Sequence, residues 1–107
     1  MEVYTRKTCA YDGGVVNAGE LLANEKRAAE AIFSEFGAAT GAKLNKIYYN
    51  DNYTMNNWST VPCLLVEMGY MTNPAEDRNL NDAAYQEKIV QGLINGVCVY
   101  MGVDKVY

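Results

Sequence analysis

Glu67 is the side chain whose type and position most clearly suit it to chemistry. It follows the apolar run Val61-Pro62-Cys63-Leu64-Leu65-Val66 and precedes Met68-Gly69-Tyr70. Such a run predicts a strand over 61–66, buried on both faces as in a parallel or mixed sheet covered by helices. Pro62 is tolerable near the strand's start. A carboxylate at the carboxyl end of a central strand lies where open α/β sheets keep their sites. Partial burial there would suit it to proton transfer near neutral pH. A solvated strand-end glutamate with no role is the competing reading, and the pattern alone admits both.

Other candidate groups are weaker. Asp51, Glu76, Asp77 and Asp82 are acidic, but the last three fall at predicted helix starts, where they favour the helix dipole. Tyr48, Tyr49, Tyr53 and Trp58 surround the Asn-rich stretch 50–60, a predicted loop placed to fold over a site. These aromatics would pack as core and loop, or stack on sugars. The chain has no histidine, which removes the commonest zinc ligand and the commonest general base together. Cys9, Cys63 and Cys98 are odd in number, which argues against a complete disulfide framework. Cys63 and Cys98 lie in apolar runs and read as small buried hydrophobes.

Several elements must position these groups. Met1–Thr5 is rich in strand formers and reads as a short strand. Asp12-Gly13-Gly14 marks a loop over 6–17. Leu21, Leu22, Ala28, Ala29, Ile32, Phe33 and Phe36 recur at helical spacing, so a helix is expected from Ala18 to Phe36. Asn17 would cap it and Gly37 would end it. Glu20, Glu25, Lys26, Arg27, Glu30 and Glu35 form its solvated face. Residues 43–49 read as extended. Asn73-Pro74 opens a short helix to about Leu80. Asp82 caps a last helix over 83–101, with Tyr85, Ile89, Leu93, Val97 and Met101 on one face at four-residue steps. Gly92 and Gly96 are either simply tolerated there or allow close approach to the sheet. Helices alternating with apolar strands give an α/β class, with a partial mixed or parallel sheet flanked by helices.

The totals narrow the function. A chain of 107 residues is one domain at most. Its formal charge is −4 and its basic residues are scattered, which argues against nucleic-acid binding. No apolar run reaches the ~18 residues needed to cross a membrane. The first residues lack the charged-then-apolar pattern of a signal peptide.

One long stretch goes beyond generic pattern. Val-Pro-Cys-Leu-Leu-Val-Glu-Met-Gly-Tyr-Met-Thr-Asn-Pro over 61–74 is followed by Leu-Asn-Asp-Ala-Ala-Tyr-Gln-Glu-Lys-Ile over 80–89 and Gly96-Val97. Together they resemble the carboxyl-terminal signature of the zinc-dependent N-acetylmuramoyl-L-alanine amidases. Glu2-Val3-Tyr4 and the helix after it are similar to the family's preceding strand and helix, so the resemblance covers essentially the whole chain. It implies that residues 1–107 form the carboxyl-terminal half of one amidase catalytic domain. The family's zinc is held by two histidines and a glutamate, all of which lie before the matched segment. The resemblance therefore implies zinc in the full domain, none held by this chain, and Glu67 as the catalytic residue. Tyr70, Thr72, Asn73 and Pro74 are implied only as the turn that places the strand end.

The resemblance also carries an expected function. The parent would hydrolyse the amide between N-acetylmuramic acid and L-alanine of peptidoglycan, acting outside the cell or in the cell wall. The isolated chain would be inactive. A non-catalytic module binding peptidoglycan or a partner through 50–58 is the alternative. A carboxylate glycosidase is a weaker third reading, since it needs two facing carboxylates and only Glu67 has a convincing position. A sheet deprived of neighbours would expose an edge, so self-association of the chain is expected.

Overall fold

Residues 1–107 are described by a computed structural model. The chain runs β1 (Glu2–Thr5), α1 (Ala18–Thr40), β2 (Lys46–Tyr49), α2 (Thr54–Trp58), β3 (Leu65–Glu67), α3 (Pro74–Leu80) and α4 (Ala83–Met101). The sheet has three strands in the order β2-β1-β3. β2 runs parallel to β1, with Val3 opposite Ile47. β3 runs antiparallel to β1, with Val3 opposite Val66. The class is therefore mixed α/β, as the alternation of elements predicts.

Side chains alternate across a strand. Val3, Ile47 and Val66 consequently share one face, and both helices α1 and α4 pack there. The core joins Met1, Val3, Ala29, Ile32, Phe36 and Ile89. The opposite face carries two rows set by the pairing: Lys46, Glu2 and Glu67, then Tyr48, Tyr4 and Leu65. No long helix covers this second face.

The strand predicted over 61–66 is shorter and shifted. β3 spans Leu65–Glu67, pairs on one side only, and is half-buried rather than enclosed on both faces. The cause is local hydrogen bonding. Pro62 has no N–H to give a ladder. The Cys63 N–H donates to the Glu25 carboxylate at 3.2 Å instead of to a neighbouring strand. Only after residue 64 is the backbone free to pair.

Helix α1 passes the expected end at Gly37 and reaches Thr40. Gly37 lies inside the helix, where a Cβ would come within 2.6 Å of the Leu44 side chain. The true stop is Gly41 at φ 69°, whose N–H returns to the Gly37 carbonyl. α3 and α4 begin where expected: Asn73 Oδ1 accepts from the Ala75 and Glu76 N–H groups, and Asp82 Oδ1 accepts from the Tyr85 N–H. The buried face of α4 differs from the predicted one. Steps of four residues drift by about 40° each at 3.6 residues per turn. Val97 and Met101 have accordingly rotated out to 52% and 63% exposure, while Ile89, Gly92, Gly96 and Cys98 are buried.

Gly92 and Gly96 do allow a close approach, but to α1 rather than to the sheet. A Cβ at Gly96 would sit 2.8 Å from Ile32 Cα, and one at Gly92 would sit 2.9 Å from Phe36 Cα. The two long helices touch backbone to backbone there.

Candidate functional site

Glu67 ends β3, at the end of the sheet where β1 and β2 begin. It lies on an edge strand and is exposed, in contrast to the half-buried, central position expected. The reason is that α1 and α4 cover only the Val66 face, and β3 has no outer neighbour. After Glu67 the chain turns at once. The Asn73 N–H donates to the Tyr70 carbonyl at 3.0 Å, and Asn73 caps α3. At Gly69 a Cβ would lie 3.5 Å from Glu76 Oε1 and from Leu80 Cδ1, so α3 packs close under the turn.

The pairing sets Glu2 directly opposite Glu67. Their Cβ atoms belong about 5 Å apart on one face. Glu2 is buried, and its Oε2 accepts a 2.6 Å hydrogen bond from the Tyr4 hydroxyl. That bond, reinforced by burial, pushes the Tyr4 phenol above its ordinary range. Lys46 flanks Glu2 on the other side. Sequence reasoning does not single out Glu2, because strand register is a tertiary property. The alternation of Glu2 and Tyr4 around Val3 is its only trace.

These residues do not fit a zinc ligand set. The chain lacks histidine, and no three His, Cys, Asp or Glu side chains converge on a point where a metal ion could be held. The two facing carboxylates have no third donor, and one of them is engaged by Tyr4.

A second buried group reads as surface from the sequence. Glu25, expected on the solvated face of α1, is 1% exposed and pairs with Arg6, also 1% exposed. Arg6 Nη2 donates to Glu25 Oε1 at 2.7 Å, and Nε reaches both carboxylate oxygens at 3.0 Å. Thr5 Oγ1 and the Cys63 N–H donate to the same carboxylate. Arg6 also donates to the carbonyls of Asn57 and Ser59. Burial alone would lower the guanidinium's pKa, but the Glu25 hydrogen bonds and charge outweigh it and hold it above its ordinary value. This hub ties β1, α1 and the segment leading into β3 to one point. Burial, and then Glu25, push the nearby Cys63 thiol up, with Arg6 opposing.

The Asn-rich stretch does not fold over Glu67. Asn50 N–H bonds the Thr5 carbonyl, so the stretch leaves the sheet at its other end. That is three residues along the strands, about 10 Å from the Glu67 row. It forms α2 rather than a loop throughout. Its aromatics divide. Tyr48 and Tyr53 pack on Tyr4 with ring centroids at 4.8 and 5.2 Å. Trp58 stands apart with Tyr11 at 6.2 Å. Asp51 is a clamp. Its Oδ1 accepts from the Thr8 and Lys7 N–H groups, and its Oδ2 accepts from Thr8 Oγ1. The Thr8 bonds lead in holding its carboxyl below the usual range.

Similarity to known proteins agrees with this architecture. The profile of the family described as Amidase_3, N-acetylmuramoyl-L-alanine amidase, matches residues 1–99. The probable cell wall amidase LytH of Staphylococcus aureus is 27% identical over 60 residues, covering 56% of this chain and 21% of LytH. The catalytic domain of CwlV, an N-acetylmuramoyl-L-alanine amidase from Bacillus (Paenibacillus) polymyxa, superposes with a TM-score of 0.74 and 26% identity. That superposition covers 96% of this chain and 49% of CwlV's. An N-acetylmuramoyl-L-alanine amidase from Clostridium difficile 630 shares the fold at a TM-score of 0.77 and 21% identity, over 94% of this chain and 47% of its own. The chain thus spans about a fifth of the curated relative and about half of each solved chain. A profile match over residues 1–99, with the fold it predicts, establishes that the chain belongs to the N-acetylmuramoyl-L-alanine amidase family.

Proposed function

We propose that the whole protein hydrolyses the amide bond between N-acetylmuramic acid and L-alanine of peptidoglycan, in the cell wall, with Glu67 as its catalytic carboxylate. The observation that carries this reading is Glu67 itself. It ends a strand inside the family's matched region, is open to solvent, and is free of any partner. Glu2 opposite it is held back by Tyr4, which leaves Glu67 as the carboxylate able to meet a substrate.

Glu67 accepts a proton from the attacking water as its oxygen bonds to the lactyl carbonyl carbon. It then returns that proton to the alanine nitrogen as the C–N bond breaks. The products are a free muramic carboxylate and a free alanine amine. The zinc that the family resemblance implies has no ligand set among these residues, so residues outside 1–107 would hold it. These residues supply the proton carrier and the turn that aims it.

The test compares two forms of the protein on purified peptidoglycan with added zinc. The 107-residue chain alone is expected to release no new alanine amino groups. Joined to the amino-terminal half of the CwlV catalytic domain it is expected to release them, and Glu67→Gln in that chimera should lower turnover by roughly 10²–10⁴-fold. Full turnover by the Gln variant would remove Glu67 from the mechanism. Turnover by the chain alone would require a different metal site.

A further inference from the structure

A cavity of about 400 Å³ opens beside the turn that follows Glu67, with Lys43, Asn45, Tyr70, Asn73, Glu76 and Asn79 in its walls. We propose that Lys43 and Glu76 are specificity-determining residues of the reaction. Lys43 receives a free carboxylate, and Glu76 a free ammonium, on the peptide whose alanine bond is cleaved. The substrate rests on the role proposed for Glu67; selection of that peptide by its paired charges goes beyond it.

The cavity belongs to the Glu67 end of the sheet. The Met1 nitrogen donates to the Lys43 carbonyl at 2.8 Å, and the Asn45 N–H donates to the Met1 carbonyl at 2.9 Å. This wall is therefore tied to the residue before β1, and Glu2, next along β1, is opposite Glu67. The other wall is the turn at Tyr70 and the start of α3. A Cβ at Gly69 would lie 3.5 Å from Glu76 Oε1, and Gly69 is two residues from Glu67. The Glu76 carboxylate is thus within about 12 Å of the Glu67 Cα. An extended peptide advances about 3.5 Å per residue. With its first amide at Glu67, its second and third residues reach the cavity.

Both signs of charge face this one space unpaired. The ion pairs of the chain are Arg6–Glu25 and Lys105–Glu35, so Lys43 and Glu76 are bound neither to each other nor to another side chain. Glu76 stands in the first turn of α3. There its charge favours the helix dipole, a role that leaves its oxygens free. A simple anion would be drawn to Lys43 and repelled by Glu76, and a simple cation the reverse. A ligand carrying both charges satisfies both, through charge-assisted bonds about twice as strong as neutral ones.

The backbone beneath the two charges is fixed in advance. Met1 holds the Lys43 carbonyl, and the Asn73 side chain holds the Glu76 N–H at 3.2 Å. Groups positioned before the ligand arrives lose less freedom on binding it. Asn45 and Asn79 add amide side chains to the walls. Each has both a donor and an acceptor, which suits them to the peptide groups between a bound carboxylate and a bound ammonium.

The isotope-labelled 107-residue chain is titrated with N-acetyl-L-Ala-γ-D-Glu-L-Lys-amide, a sugar-free peptide with one carboxylate and one ammonium. Saturable shifts are expected in the amide resonances of 41–45 and 69–79. Acetylating the lysine amine, or replacing D-Glu by D-isoglutamine, should each weaken binding about tenfold or more. Glu76→Gln should abolish the preference for the free amine, and Lys43→Gln the preference for the free carboxylate. Asp77→Asn removes the same charge from the first turn of α3 but lies outside the cavity wall, so it should bind as the parent does. No saturable shift, equal binding of the three peptides, preferences retained in the Lys43 and Glu76 variants, or an equal loss in Asp77→Asn would each overturn the assignment. Because binding is read without turnover, failure here leaves the role of Glu67 untouched, and failure of the chimera's activity leaves the binding result standing.

Discussion

Arg6 and Glu25 show how one buried pair sets the terms for its neighbours. Both charges are out of water, and each guanidinium nitrogen and each carboxylate oxygen has a hydrogen-bond partner. Glu25→Gln would keep the shape but strand the Arg6 charge in the interior. Removing one member of a buried pair costs about 3–5 kcal/mol, a loss readable as a lower denaturation midpoint in urea. Asp51 gives a pH prediction of opposite visibility, at the surface. Its carboxyl titrates lower in the folded chain than the ordinary value near 3.9. Its bonds to Thr8 and Lys7 therefore stabilise the fold above that pH and are lost as pH falls through the lower, folded value. Acid titration followed by the Thr8 amide resonance should show the clamp opening below about pH 4, and Asp51→Asn should abolish that transition. At this scale the sequence is partly readable. That Glu67 closes an apolar strand is legible in the residues before it, but its exposed place on an edge strand is not. The positions of Glu2 and Glu25 are not legible either, because a carboxylate's burial depends on what crosses it from elsewhere in the fold.

The helices are the most legible elements, because their signals are local. Asn17, Asn73 and Asp82 all accept hydrogen bonds as caps, as their types suggest. The carboxyl end of α1 misleads because a glycine can serve a packing contact as readily as a stop, and Gly37 serves Leu44. β3 misleads because apolar composition reports burial rather than pairing, and its first backbone donor goes to a side chain. The contact between α1 and α4 makes a definite prediction. Gly96→Ala gains about 1 kcal/mol in helix propensity. Yet it drives a methyl to 2.8 Å from Ile32 Cα and 3.2 Å from Ile32 N, backbone atoms that cannot step aside. The helices must separate, at a cost of about 1–3 kcal/mol. The net result should be a lower melting temperature for Gly96→Ala by calorimetry, while Gly19→Ala, with only Asn17 nearby at 3.7 Å, should not lower it.

At the scale of the molecule, the sheet is open on both sides. β2 and β3 each have one unpaired edge, and beside β3 an open groove of about 340 Å³ is lined by Ile32, Leu64, Val66, Val97 and Met101. Unpaired edges next to apolar surface are templates for association. We therefore expect the isolated chain to self-associate with rising concentration. Sedimentation velocity should show this, and a concentration-independent monomer would refute it. Membership of the amidase family is legible from the order of the matched motifs. The open face of the sheet is not, because it depends on which strands pair. The Arg6–Glu25 hub then bears on how this small fold comes apart. The Cys63 amide is bonded to Glu25, while the Asn57 and Ser59 carbonyls are bonded to Arg6. The end of α2 and the segment from it into β3 are thereby fastened to the same atoms as the central strand. In amide hydrogen exchange the Cys63 proton should be as slow as those of β1, so that this loop, unlike an ordinary surface loop, opens only when the core does.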